Sequence, residues 1–326
     1  MKRKVIFFVA SLVMLQVVNS GCASREAAID SPSQETKGIP PAESPGAAVD
    51  QTAQAAYRDG LGVVNDTVVD VFRAPDTKSE RLTQAIFNQP VEILDRRENW
   101  LNVKVVDGYS GWVRSKYVDT DACSLKGENC RFRIVVTAKT KKVCAEAGSG
   151  VALKEVVMGT ELYSTGQRGG WYEVALPGGR AGWVDGSGCI RVPLDGHIPQ
   201  TNASDFIFTA KKLKGAVYLW GGISSWGIDC SGLTYICSRV NGVDLPRDAD
   251  EQFKVGKTVA GIEFMEPGDL IFLSSNEKRT DVSHVMIYMG NNQVIQASSS
   301  KGAVVIGPFA ENDIKKILVG IKRIFP

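Results

Sequence analysis

The sequence predicts an α+β protein: two small β-barrels in tandem, then a domain in which helices precede strands. Two observations carry this. The segment "WLNVKVVDGYSGWV" (100–113) aligns without gaps to "WYEVALPGGRAGWV" (171–184), pairing Trp100 with Trp171 and Trp112 with Trp183. From about Ser204 the pattern changes to amphipathic helical periodicity and then to alternating strands.

In chain order, the first element is a leader. Lys2, Arg3 and Lys4 precede an apolar run from Val5 to Val18. The run is short for a bilayer span and right for a signal-peptide core, so residues 1–21 read as an export signal. It ends in Asn19-Ser20-Gly21-Cys22, which resembles the lipoprotein signal, where a cysteine after small residues becomes the lipidated N-terminus. Asn19 stands where that signal usually has leucine, and ordinary cleavage after Ser20 or Ala23 is the alternative. Lipid on Cys22 implies a membrane anchor, and Ala23 after it implies the periplasmic face of the outer membrane in a Gram-negative host. Removing residues 1–21 takes three positive charges from a formal +2 and leaves −1, which is no footprint for nucleic acid. Residues 22–55 are rich in Ala, Ser, Pro, Gln and Glu and poor in large apolar residues, a composition that reads as a disordered tether.

Residues 56–120 and 130–192 hold the two copies of the repeat. Each copy shows an alternating strand, an Asp-Gly or Gly-Gly turn, and a second strand ending Gly-Trp-Val, the pattern of a hairpin in a small barrel. Both resemble bacterial SH3-like domains, modules that often bind cell wall. Trp112 and Trp183 read as barrel core, while Trp100 and Trp171 start strands and are more open. Tyr117 maps onto Gly188 in the second copy, so it reads as a contact peculiar to the first module.

Seven cysteines in an oxidising compartment should sort into pairs and exceptions. Cys22 goes to lipid. Cys123, Cys130, Cys144 and Cys189 allow three pairings, of which 123–130 with 144–189 is the simplest. Cys230 and Cys237 lie seven residues apart on one helix, about 10 Å along the axis, too far for a disulfide. Cys237, flanked by apolar neighbours, reads as a small core residue. Cys230 falls at the helix N-terminus after a glycine-rich segment, where unpaired N–H groups and the helix dipole are expected to favour a thiolate.

A thiolate nucleophile needs a base, and the chain has two histidines, His197 and His284. His197 lies in a linking loop. His284 opens an alternating strand, which fixes its position, so it is the better base. The following hairpin returns with Val294, Gln296 and Ser298 on one face, which lets Gln296 lie beside His284 and orient its ring. The two distant histidines and the scattered cysteines form no zinc pattern, and no cofactor motif is present.

The segments "YLWGG", "DCSGL", "PGDLIFL", "SHVMIYMG" and "VIQASS", in this order and at these spacings over residues 200–326, resemble the NlpC/P60 cell-wall cysteine peptidases. The resemblance implies a papain-like domain with Cys230 as nucleophile, His284 as general base, Gln296 as third residue and Tyr218 beside the oxyanion. Many members have histidine where Gln296 stands; an amide oxygen can still accept the imidazole N–H. Tandem SH3-like modules before such a domain resemble the γ-D-glutamyl-L-diamino acid endopeptidases, which act on peptidoglycan stem peptides with a free N-terminal L-alanine. That resemblance puts Asp229, Ser231, Trp220 and Asp248 at the substrate, with Tyr117 and Glu80 contributed by the first module. Ala249 stands where a serine is expected. Asp229 has a second reading as a helix N-cap. Two rival functions stay open: a wall-binding scaffold with weak catalysis, and an amidase or acyltransferase on the same fold. Whether the diamino acid is diaminopimelate or lysine is also open.

Overall fold

Seven short strands between Leu61 and Asp119 form the first antiparallel sheet, and seven between Phe132 and Val192 form the second. This computed structural model describes residues 60–125 and 129–326. The leader, Cys22 and the tether lie outside the described residues. The two sheets share one strand order, each strand of the second standing where its counterpart stands in the first. The repeat read from the sequence is therefore a repeat of register. Trp100 faces Arg114 across its hairpin, and Trp171 faces Asp185 across the equivalent one. Gly111 and Gly182, each before the Trp-Val pair, sit where a Cβ would meet Phe72 O at 2.7 Å and Val143 Cγ1 at 2.6 Å. The Gly-Trp-Val pattern thus marks a close crossing of two strands.

The expectation of a core position holds for Trp112 and not for Trp183, and of the two tryptophans left open Trp100 takes one. Trp100 and Trp112 are both buried, whereas Trp171 and Trp183 are partly exposed. Arg114 lies over the Trp100 ring at 4.1 Å, Arg97 over Trp112 at 4.8 Å and Arg168 over Trp183 at 4.9 Å, so cationic side chains cover the ring faces. Gly188 explains why the second copy has no tyrosine at the position of Tyr117: its φ of +64° and the Ala138 Cβ 2.9 Å from a notional Cβ leave no place for a side chain.

The expected disulfides are not formed: Cys123, Cys144 and Cys189 carry thiols. Cys144 and Cys189 lie on strands separated by four others in the sheet order. Cys123 Sγ accepts the Gly179 N–H at 3.0 Å, and Cys189 donates to Asp185 O at 3.7 Å. For Cys144 and Cys189 the strand order of the barrel sets the separation.

The third domain is helices against an antiparallel sheet. Helix α1 (Ala203–Lys212) is capped by Asn202, which accepts from Ser204 and Asp205 N–H at 2.9 and 3.0 Å. Helix α2 (Cys230–Arg239) follows a two-stranded turn, and α3 (Ala249–Gln252) follows the segment "LPRD". The six-stranded sheet runs Lys257–Val259, Leu318–Arg323, Leu270–Leu273, His284–Gly290, Gln293–Ser298, Ala303–Pro308. Phe206, Leu213, Leu233 and Ile236 of the α1–α2 region pack with Phe272, Ile287 and Ile295 of the sheet. On the other sheet face Met286 and Val294 pack with Phe309 and with Ile314 of α4 (Glu311–Ile317). No helix among the described residues is long and apolar enough to cross a membrane.

The barrels are joined to this domain through α2. Ile86 of the first and Val135, Val157, Met158 and Val192 of the second belong to the same buried cluster as Ile236 and Cys237. Gly159, in the second barrel, has φ +85°, and a Cβ there would lie 2.3 Å from Ile236 Cδ1. Gly159→Ala is expected to cost about 1–3 kcal/mol, from backbone strain plus overpacking. Urea unfolding checks this, and adding Ile236→Val, which removes the clashing methyl, should recover part of the loss.

Candidate active site

Asp229 ends an extended segment with φ −98° and ψ −176°, and its Oδ1 accepts the Gly232 N–H at 2.7 Å. That cap starts α2 at Cys230 and leaves the sulfur at the mouth of the helix. Helix α2 packs on the strands His284–Gly290 and Gln293–Ser298. The Cys230 sulfur lies near the Val285 and Ser231 N–H groups, which puts it beside the residue that follows His284. His284 Nε2 and Gln296 Oε1 are 2.7 Å apart. An amide oxygen only accepts, so Nε2 carries the proton and Nδ1 keeps its lone pair.

The strand register supports this pair. Ile287 faces Ile295, and extending that register puts Gln296 one diagonal step from His284. Tyr218 is half-buried, with its N–H donated to Gly302 O at 2.8 Å. Burial, with the Cys230 and Asp229 charges adding, pushes its phenol up to about 12, so it stays a donor next to the sulfur. His284 and Gln296 are thus in contact, Cys230 lies by the neighbouring Val285, and Tyr218 is close enough to Cys230 to feel its charge.

The charge state of the thiol departs from expectation. Burial and the neighbouring Asp229 carboxylate push the Cys230 thiol up to about 11, against the nearby N–H groups that favour the thiolate. The helix N-terminus acts as anticipated, but desolvation outweighs it. Burial also lowers His284 from its ordinary value, opposed by its bond to Gln296. Both shifts favour the neutral forms, thiol and imidazole, in the free protein. Cys237 is fully buried and its thiol is raised further, as a core residue.

Asp229 is buried at 6 % exposure and paired with Arg247, which was not picked out from the sequence. Arg247 donates to Asp229 Oδ1 at 3.0 Å and Oδ2 at 2.6 Å, to Ser231 Oγ at 2.9 Å, to Gly222 O at 3.3 Å and to Thr83 Oγ1 of the first barrel at 3.3 Å. Asp229 Oδ2 also accepts the Gly221 N–H at 2.8 Å, and Ser231 Oγ donates to Oδ1 at 3.3 Å. With its lone pairs taken, Asp229 is a cap and an anchor. Asp229 and Ser231, both expected at the substrate, are thus engaged with Arg247 and with each other, and the N-cap reading of Asp229 describes its contact with Gly232. Trp220, at 64 % exposure, is not a core residue.

Asp248 is half-buried before α3, and Tyr109 Oη of the first barrel donates to its Oδ2 at 2.5 Å. Its Oδ1 is unclaimed among the described residues. Burial and the Asp248 carboxylate raise the Tyr109 phenol, so it keeps its proton. Thr83 Oγ1 donates to Asp107 Oδ2 at 2.5 Å, and burial raises Asp107. The first module therefore reaches the site through Thr83, Asp107 and Tyr109. Glu80 is instead an exposed partner of Arg73 at 2.7 Å. Tyr117 packs on the first barrel's own core under Lys116 and lines a separate cavity. The signal was present: in the alignment that singled out Tyr117, Tyr109 maps onto Arg180 and Asp107 onto Gly178, equally peculiar to the first copy.

Residues 215–323 match the NlpC/P60 family, and residues 71–117 match the bacterial dipeptidyl-peptidase Sh3 domain. The chain is 29 % identical over 252 residues to a gamma-D-glutamyl-L-lysine dipeptidyl-peptidase of Bacillus cereus, covering 75 % of each chain. It is 26 % identical over 286 residues to the Bacillus subtilis protein of that name, covering 85 % of this chain and 88 % of the relative. The crystal structure of an NlpC/P60 family protein from Bacillus cereus superposes with a TM-score of 0.73 at 24 % identity, covering 82 % of this chain and all of that one.

Two outcomes follow from this geometry. Arg247→Met leaves the Asp229 carboxylate buried without its partner, and urea unfolding should register a loss of about 3–5 kcal/mol. Alkylation of Cys230 by iodoacetamide in the free protein should rise about tenfold per pH unit from pH 7 to 10, because the thiolate fraction grows that way below a raised pKa. A rate already level by pH 6 would mean a resting ion pair instead.

Proposed function

We propose that this chain, a cysteine peptidase by its NlpC/P60 domain, hydrolyses the bond between γ-D-glutamate and the L-diamino acid of peptidoglycan stem peptides that carry a free N-terminal L-alanine. The observation that carries the reading is the contact of Tyr109 with Asp248, because it lets the first barrel wall off one end of the groove and present a carboxylate there. A carboxylate with one oxygen held by a phenol and the other open suits an ammonium group and disfavours an acylated amine. The names of the two Bacillus relatives, dipeptidyl-peptidases on γ-D-glutamyl-L-lysine, agree with a groove closed two residues before the scissile bond.

In this reading His284 Nδ1 takes the Cys230 proton as the substrate's γ-carbonyl carbon arrives, so the charged pair forms only when the groove is filled. The sulfur adds to that carbon. The oxyanion is met by the Tyr218 hydroxyl and by N–H groups at the start of α2. The C–N bond breaks as the imidazolium returns its proton to the leaving amine of the diamino acid. Water, deprotonated by His284, then hydrolyses the thioester and releases the dipeptide. Gln296 holds the imidazole tautomer throughout. Trp220 lines the groove. From residues 1–22 of the sequence we also propose export and anchoring through lipid on Cys22.

The test is incubation of the soluble chain and its Cys230→Ser variant with L-Ala-γ-D-Glu-diaminopimelate, the lysine counterpart, and their N-acetylated forms, with products read by mass spectrometry. Release of L-Ala-D-Glu from free peptides alone, lost in the variant, is the expected result. Tyr109→Phe should raise KM with little change in kcat, since it removes a binding contact remote from the reacting atoms. Cleavage of acetylated peptides would end the amine requirement. No cleavage of any peptide would favour the scaffold or acyltransferase readings.

A further inference from the structure

A cavity of about 870 Å³ lies between the first barrel and the catalytic-domain loop that carries Leu219 and Trp226, a volume typical of small-molecule sites. It is bordered by Tyr117, the residue singled out from the module comparison that the catalytic groove did not absorb. Trp226 is 54 % exposed, yet its indole N–H is held by Glu155 Oε1 of the second barrel at 3.3 Å. One edge of the ring is pinned while its surface stays open, which makes a fixed apolar platform.

The charges lining the cavity do not cancel. Arg81 is paired with Asp70 at 2.7 Å, and Asp66 with Lys154 at 3.0 Å. Arg114 and Lys116 have no carboxylate partner among the described residues. They rest over aromatic rings, Arg114 over Trp100 at 4.1 Å and Lys116 over Tyr117 at 4.7 Å. Asn99, Ser115 and Thr77 add neutral hydrogen-bonding groups. A flat ring surface, hydroxyl-matching polar groups and two cations without a carboxylate partner, set against the carboxylate of Glu155 at the indole edge, together fit a sugar that bears a carboxylate.

We propose that this cavity is a second binding site, for a carboxylated amino sugar of the wall glycan, of which N-acetylmuramic acid is the simplest form. The choice of sugar rests on the wall-directed reading of the active site. Such a site holds the glycan beside the groove and leaves the groove free for released stem peptides.

The experiment uses the soluble chain carrying Cys230→Ala, so that no turnover enters the reading. N-acetylmuramic acid and N-acetylglucosamine are titrated separately and followed by tryptophan fluorescence and calorimetry. The expected result is binding of N-acetylmuramic acid about fivefold or more tighter than its uncharged counterpart, weakened about fivefold by Lys116→Ala and also weakened by Trp226→Leu. Equal binding of the two sugars, no binding of either, or indifference to both substitutions would overturn the proposal. Peptide turnover by Lys116→Ala, with Cys230 intact, should match that of the parent chain; a fall would mean that the cavity belongs to the peptide groove and would likewise overturn it. Because binding is measured without catalysis, absence of peptide cleavage would leave this result standing and count only against the proposed bond.

Discussion

The guanidinium of Arg247 is the joint on which the rest of the site is hung. It is 3 % exposed at its side chain, forks onto both oxygens of Asp229 and reaches Ser231, the Gly222 carbonyl and Thr83 of the first barrel. A buried ion pair is costly to assemble and contributes little net stability by itself, but removing one partner strands the other. The cap of α2, the glycine-rich turn and the first barrel are therefore fixed relative to one another by one interaction that tolerates no partial version. The position of Cys230 is a consequence of that arrangement.

Helix α2 is held from three sides. The sheet supplies the base and its orienting amide, the first barrel supplies Thr83 and Ile86, and the second barrel seats Ile236 against Gly159. At the far end of the helix Arg239 binds Glu161 of the second barrel at 3.0 Å, and Glu161 in turn holds Arg133 at 2.6 Å. The barrels act here as walls of the catalytic domain. Precision in the groove comes from this packing, since side chains anchored on rigid elements hold their geometry better than side chains on loops.

A buried thiol beside a carboxylate is a poor place to keep a thiolate, and a buried imidazole is a poor place to keep a positive charge, its bond to Gln296 only partly offsetting the loss of solvent. Both facts favour a neutral resting pair. Gln296 fixes the tautomer without adding a charge that would hold an imidazolium before substrate arrives. Reactivity is thereby tied to occupancy of the groove, and the raised phenol of Tyr218 keeps a donor ready at the sulfur through the working pH range.

The α+β class, the duplicated hairpins, the start of α2 at Cys230 and the meeting of His284 with Gln296 were legible in the sequence. Each depends on spacing along a few residues: period two for strands, a cap before a helix, one hairpin register between base and amide. Other features were decided only by the tertiary structure. Tyr109 and Asp248 are 139 residues apart, and Thr83 and Arg247 are 164 apart. The barrel order set the strand of Cys144 apart from that of Cys189. Desolvation of Cys230 reversed the expected thiol shift because burial is a property of everything packed around a group. Local pattern sets which groups are present and which way the chain points them; long-range packing sets their partners, their solvent and therefore their charge.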